Sequence, residues 1–211
     1  MTENRNFNWE KVYGELDVEN MGWYWPDLDP DLKAVIDKLN IRSGSFLDIG
    51  TGPGTQANAL RNRGFDVTAT DISKDAILLA KEKFEGIYFI QDNILDSHLE
   101  KKFDYVFDRG VFHVFEEIDR KKYVEAVNRL ITNNGIYFLK CFSTRNPETG
   151  RGPYLFSAED LSEYFGNDFL IESIIDTVYH GANKPMPQAL FAKMTLHPVP
   201  PAKFHLARNP P

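Results

Sequence analysis

One aspartate and three glycines give the first chemical signal in this chain. Phe46 to Thr55 reads F-L-D-I-G-T-G-P-G-T, with Asp48 two residues before Gly50 and with Gly50, Gly52 and Gly54 at alternate positions. Glycine suits a turn whose backbone angles a Cβ forbids, and it lets a ligand approach the main chain closely. Thr55 to Arg61 reads as the start of a helix, whose N-terminus offers free N–H groups and a positive dipole end. Strand, glycine turn and helix form the opening unit of a nucleotide-binding doubly wound sheet. Polar groups also close the later apolar segments: Asp71, then Asp92-Asn93, then Asp108-Arg109-Gly110, with His113 just beyond. Asp71 lies 21 residues after Gly50, where a carboxylate suits two ribose hydroxyls. Its competing role is to cap the next helix, and Ser73 is available for that. Asp92 and Asn93 border the expected adenine position, and a surface turn is the alternative.

The elements that must position these groups follow from apolar spacing. Phe46 to Ile49, Phe65 to Thr70, Ile87 to Ile90, Phe103 to Phe107 and Ile136 to Phe142 read as five strands. Helices are expected from Pro30, with Asp29 as its cap, from Thr55 to about Arg63, from Ala76, over Asp119 to Ile131, and from a capping box at Ser157 and Asp160. Phe169 to Tyr179 and Gln188 to Leu196 read as two further strands. Strand four of such a sheet lies beside strand one, and ligands bind at the carboxyl ends there. Asp108, Arg109 and His113 are therefore the polar groups nearest the expected reaction site. His113 sits among phenylalanines and reads either as a hydrogen-bonded packing residue or as a base. Cys141, inside strand five, reads as a core thiol rather than a nucleophile. All three tryptophans, Trp9, Trp23 and Trp25, precede the glycine turn, with Tyr13 and Tyr24. Helical spacing links Trp9 to Tyr13 and Met21 to Trp25. This aromatic segment either packs on the core or forms a lid.

The chain has 211 residues, 24 basic and 31 acidic side chains, and a formal net charge of −7. That length favours one domain. Net acidity argues against general nucleic-acid binding, which needs basic side chains on phosphates. One cysteine excludes a disulfide framework and a cysteine-based zinc site, and no metal is expected. No apolar signal core and no membrane-length apolar run is read, so a cytoplasmic protein is expected. The tail from His197 carries five of the twelve prolines and is expected to be extended or disordered.

The order D-x-G-x-G-x-G departs from G-x-G-x-x-G, because Thr55 stands where a dinucleotide site wants glycine. This disfavours an NAD-dependent oxidoreductase. The order resembles motif I of the class I S-adenosylmethionine-dependent methyltransferases. The segments D-R-G-x-F-H, G-W-Y-W-P-D-L-D-P-D-L and L-K-C-F-S resemble the small-molecule branch that holds thiopurine, thiol and tellurite-resistance methyltransferases. The resemblance implies an α/β, doubly wound, seven-stranded, mostly parallel sheet of order 3-2-1-4-5-7-6 with strand 7 antiparallel. It implies an aromatic flap over 1–28, a methyltransferase domain over 29–197 and a tail over 198–211. It implies adenosylmethionine as cofactor, adenosylhomocysteine as product, and a small-molecule acceptor, with no membrane or nucleic-acid partner and a monomer or weak dimer. Cofactor contacts fall on Trp23, Asp48, Gly50, Gly52, Gly54, Asp71, Ile72, Asp92, Asn93, Asp108 and Arg109. Asp48 is the expected partner of the ammonium group, directly or through water. Arg109 and His113 are the catalytic candidates, and Trp23, Tyr24, Trp25 and Phe112 the expected acceptor walls. The expected acceptor is a thiol or other soft nucleophile. The alternatives are O- or N-methylation with His113 as base, or a non-catalytic adenosylmethionine binder.

Overall fold

The computed structural model describes residues 8–15, 17–147 and 152–198. The proline-rich tail beyond Pro198 lies outside them. Seven strands, β1 (Ser45–Ile49), β2 (Asp66–Asp71), β3 (Tyr88–Gln91), β4 (Phe103–Arg109), β5 (Ile131–Phe142), β6 (Phe169–Val178) and β7 (Gln188–Leu196), form one sheet. Its order is β3-β2-β1-β4-β5-β7-β6. The first five strands pair in parallel, and β7 pairs antiparallel with both β5 and β6. Six helices accompany it among the described residues: α1 (Trp9–Glu15), α2 (Pro30–Lys38), α3 (Thr55–Asn62), α4 (Lys74–Lys83), α5 (Glu117–Leu130) and α6 (Ala158–Phe165). None is long and apolar enough to cross a membrane.

Strand side chains alternate between faces, and the core divides accordingly. Leu47, Tyr137, Leu139 and Cys141 face α5 and α6, whereas Phe46, Phe107 and Phe138 face α2, α3 and α4. Helix starts follow their caps. Asp29 accepts from Asp31 N at 3.0 Å, Ser73 accepts from Ala76 N at 3.2 Å, and Ser157 and Asp160 form the capping box. Ser73 thus leaves Asp71 free of the cap role.

Three expectations are corrected. β5 starts at Ile131, not Ile136, because Ile131 already pairs with Phe103, and a register shift on β4 carries Asn133-Asn134-Gly135 within the strand. β4 runs on to Arg109 through pairing with Lys140. Met21 to Trp25 is not helical. Its carbonyls accept side-chain donors instead: Trp23 O from Arg109 at 3.0 Å and Trp25 O from Gln56 at 3.4 Å.

Alternation puts Lys140 on the same face as Phe138, beneath the start of α2. Its ammonium is fully buried and lies 2.8 and 2.9 Å from the Asp29 carboxylate, 2.6 Å from Asp31 and 3.3 Å from His180 Nδ1. Asp29 also accepts from Arg109 Nε at 2.9 Å, and Arg109 donates to the carbonyls of Trp23 and His180. Burial would raise the Asp29 pKa, but the charges of Lys140 and Arg109 outweigh it and hold the carboxyl below its usual range. Asp29, Asp31 and His180 have metal-ligand geometry, and Lys140 supplies the cation at that point.

Lys140→Met leaves buried acid short of positive charge and is expected to cost about 3–5 kcal/mol in urea unfolding. The Asp29 contribution is present above its unfolded pKa and is lost as pH falls through its lower folded pKa, so the acid limb of stability should shallow in this variant. Cys141→Ser buries a hydroxyl without an evident partner. It should lower stability by about 1–3 kcal/mol in thermal melts while turnover persists.

Candidate functional site

A cavity of about 350 Å³ opens at the carboxyl ends of the parallel strands. That is within the range of small-molecule sites. Gly50, Asp71, Asp92 and Arg109 reach it from the ends of β1, β2, β3 and β4, and Phe142 from the end of β5. Trp9, Tyr13 and Trp23 come from the N-terminal segment, and Tyr179 and Asn183 from beyond β6. Sheet order divides the cavity: Asp71 and Asp92 lie on one side of β1, and Arg109, His113 and Phe142 on the other.

On the first side, the glycine turn has the expected geometry. Gly50, Gly52 and Gly54 all have positive φ, at 66°, 51° and 81°. A Cβ on Gly52 would meet the Tyr13 hydroxyl at 2.6 Å, so α1 packs directly on the turn. Glu10 anchors α1 by accepting from Lys74 N at 2.8 Å. Asp71 accepts from Gly52 N and from Ser73 N, both at 2.9 Å, and still lines the cavity. Burial raises its pKa. Asp92 accepts from His98 N through Oδ1 at 3.2 Å, whereas its Oδ2 is buried without a partner among the described residues. Ile72 lines the wall beside them. Asn93 also lines it, but its side-chain oxygen caps the turn at Leu95 N.

Asp48 is not on the wall. It is buried behind the turn, accepts from Thr51 Oγ1 at 2.6 Å and is pushed up to about 7 by burial, with Asp108 and Asp71 adding repulsion. Gly52, Gly54 and Asp108 also lie behind the lining. Asp108 accepts from Val111 N at 2.6 Å, from Phe112 N at 2.8 Å and from the Tyr123 hydroxyl, and burial pushes it up to about 6. It shapes the turn that presents Arg109 and His113.

On the second side, Arg109 lines the cavity while its guanidinium holds Asp29, Trp23 O and His180 O and stacks on Tyr179 at 4.5 Å. His113 is buried, and its Nδ1 accepts from Phe142 N at 3.1 Å. Burial, with the charge of Arg109, pushes it down to about 3. The expected aromatic walls are partly corrected. Trp23 lines the cavity, but Phe112 is wholly buried against Tyr123, Phe156 and Phe165. Trp25 packs on His180, and Tyr24 belongs to a small cluster with Val18 and Met21. Phe115, Phe142 and Tyr179 form the walls instead. The sequence reading missed these, as well as Lys140, whose one signal was a cation inside an apolar strand.

A methyltransferase-domain family model matches residues 46–135, from β1 into β5. The chain is 25% identical over 170 residues to a probable thiol methyltransferase of Arabidopsis thaliana, covering 78% of this chain and 72% of that one. It is 30% identical over 111 residues to an uncharacterized methyltransferase of Schizosaccharomyces pombe, covering 48% of this chain and 74% of that one. A solved S-adenosylmethionine-dependent methyltransferase of Anabaena variabilis superposes with a TM-score of 0.74 at 19% identity, over 92% of this chain and 98% of that one. With the strand order, the glycine turn and the acids at the strand ends, these likenesses show that the chain belongs to the class I S-adenosylmethionine-dependent methyltransferases.

Proposed function

We propose that the cavity takes adenosylmethionine against the ends of β1, β2 and β3, and a small thiol or other soft nucleophile against the ends of β4 and β5. The observation that carries the cofactor half is Asp92, a cavity-lining residue at the end of β3 whose Oδ2 is a buried acceptor with no hydrogen-bond partner among the described residues. Adenosylmethionine supplies, when bound, a methyl group on a cationic sulfonium. Asp71 would accept from the ribose hydroxyls while it braces the glycine turn. Asp48 would act on the ammonium group from behind that turn. Trp9, Tyr13 and Trp23 would exclude water and set aromatic faces near the cation. The segment 1–28 is on this reading the lid of a domain over 29–197.

The acceptor half contains apolar walls and one guanidinium, which suits a small apolar molecule carrying a soft anion. Arg109 brings its positive charge there, and three of its five N–H groups hold Asp29, Trp23 O and His180 O in place. The thiol methyltransferase relative supports sulfur as the methylated atom. O- or N-methylation with His113 as base is less well supported, because that ring is held neutral with Nδ1 already accepting. We place the reaction in the cytoplasm, in a monomer or weak dimer.

Asp92→Ala should weaken adenosylmethionine binding about 10- to 100-fold by calorimetry, the loss of one charge-assisted hydrogen bond. Unchanged affinity would remove the adenine assignment. Turnover of a thiol panel tests the acceptor, and tryptophan fluorescence should respond to adenosylhomocysteine because Trp9 and Trp23 line the cavity. A proton-linked effect follows from Asp48. Its folded pKa is about 7 against an ordinary carboxylate value, so the folded state binds the extra proton and its stability falls as pH rises between those values. A cationic ligand should drive that proton off near pH 7. Calorimetry in two buffers of different ionisation enthalpy should show proton release, and Asp48→Asn should reduce it, Asp71 and Asp108 supplying the remainder.

A further inference from the structure

We infer that His113 is a fixed hydrogen-bond donor that selects an acceptor already present as an anion, and is not the base that creates it. This rests on the methyl-transfer reading above and names the form of acceptor that the same site takes. A neutral imidazole has one donor nitrogen and one acceptor nitrogen. Here the Phe142 amide fixes Nδ1 as the acceptor, at 3.1 Å, so the proton resides on Nε2. No group among the described residues accepts from Nε2, although the residue is only 4% exposed and lines the cavity. Gly110 leaves room beside that edge: a Cβ there would meet the Tyr179 hydroxyl first and would come within 3.1 Å of Nε2.

Among the described residues, the groups around His113 leave no route for taking a proton from the acceptor. Arg109, from β4, is cationic and disfavours a charged ring. Tyr179 lies 5.9 Å away ring to ring and donates its hydroxyl to Arg109 O at 2.7 Å, and burial raises its pKa. Phe142 of β5 lies 4.7 Å away ring to ring, and from the segment after it the Tyr154 amide donates to His113 O at 2.7 Å. Asp108 is turned toward Val111 N, Phe112 N and Tyr123. Asp71 and Asp92, the carboxylates on the cavity wall, lie across β1 at the far side.

The step then balances without a base in the pocket. The thiol loses its proton to solvent before or on binding. The thiolate lone pair forms the new sulfur–carbon bond, and the old carbon–sulfonium bond breaks with its pair left on the departing neutral thioether. Nε2–H and the charge of Arg109 stabilise the anion while it waits, and no proton moves in the transfer.

The test uses the full chain with adenosylhomocysteine present and 4-nitrothiophenol as probe, whose thiolate is read by its visible band. Its apparent pKa on the protein should fall by about one unit, a tenfold preference for thiolate. His113→Asn keeps an acceptor for the Phe142 amide but removes the pocket donor, so the shift should shrink severalfold. His113→Gln places an amide N–H near Nε2 and should restore it. Melting curves show that each variant is folded. Across a thiol panel, the acid limb of kcat/KM should follow each thiol's own pKa. An unshifted bound pKa, equal shifts in parent and His113→Asn, or one limb common to all thiols overturns the inference alone. Failure of the parent to bind or methylate any thiol overturns the thiol reading and this inference with it.

Discussion

The architecture of the site depends on one buried carboxylate. Asp29 begins α2, and it is held between Lys140 of β5 and Arg109 of β4. Two cations on one acid leave an excess positive charge, which Asp31 and the carbonyls of Trp23 and His180 answer. Each partner comes from a different part of the chain, so the group ties the N-terminal segment, the sheet and the connection after β6 to one point. Buried ion pairs gain little net stability over apolar packing, but they fix geometry, because a misplaced partner leaves a bare charge in low dielectric. Here the geometry fixed is that of the Trp23 and His180 carbonyls around the Arg109 guanidinium.

Strand order then separates two kinds of chemistry within one cavity. The reversal of strand order at β1, with β2 on one side and β4 on the other, puts acids to one side and a guanidinium with a neutral imidazole to the other. Adjacent strands stand about 4.8 Å apart, so a ligand a few strands wide meets both. The acid side suits ribose, adenine amine and a cation. The other side suits an electron-rich acceptor. The backbone donors of the glycine turn are partly engaged by Asp71, which makes that carboxylate both a wall and a brace.

Three acids near the turn, Asp48, Asp71 and Asp108, are all held above the ordinary carboxylate range, mainly by burial. A concentration of raised acids is costly in a protein alone and favourable beside a positive ligand. It agrees with the proposal that a sulfonium and an ammonium bind beside the glycine turn. The opposite is true around His113, where burial and Arg109 suppress a second positive charge.

Local chemistry in the sequence was enough for the elements and for the acids at their ends. Gly50, Gly52 and Gly54 announce a turn because only glycine takes those angles without strain, and Asp71 and Asp92 follow apolar runs whose ends must face the ligand edge. Caps such as Asp29, Ser73 and Ser157 were legible because the cap and its target lie within one helical turn. The contacts that decide function are of another kind. Asp29 and Lys140 are 111 residues apart, and no spacing rule joins them. Phe112 looked like a wall, yet the turn set by Asp108 points it into the core and leaves Phe115 and Phe142 to face the cavity. His113 could be read as packing group or base until the Phe142 amide fixed its tautomer. Sequence records what each residue can do within a few positions of itself. Which donor faces which acceptor across the sheet is set only when strand order and register bring distant segments together.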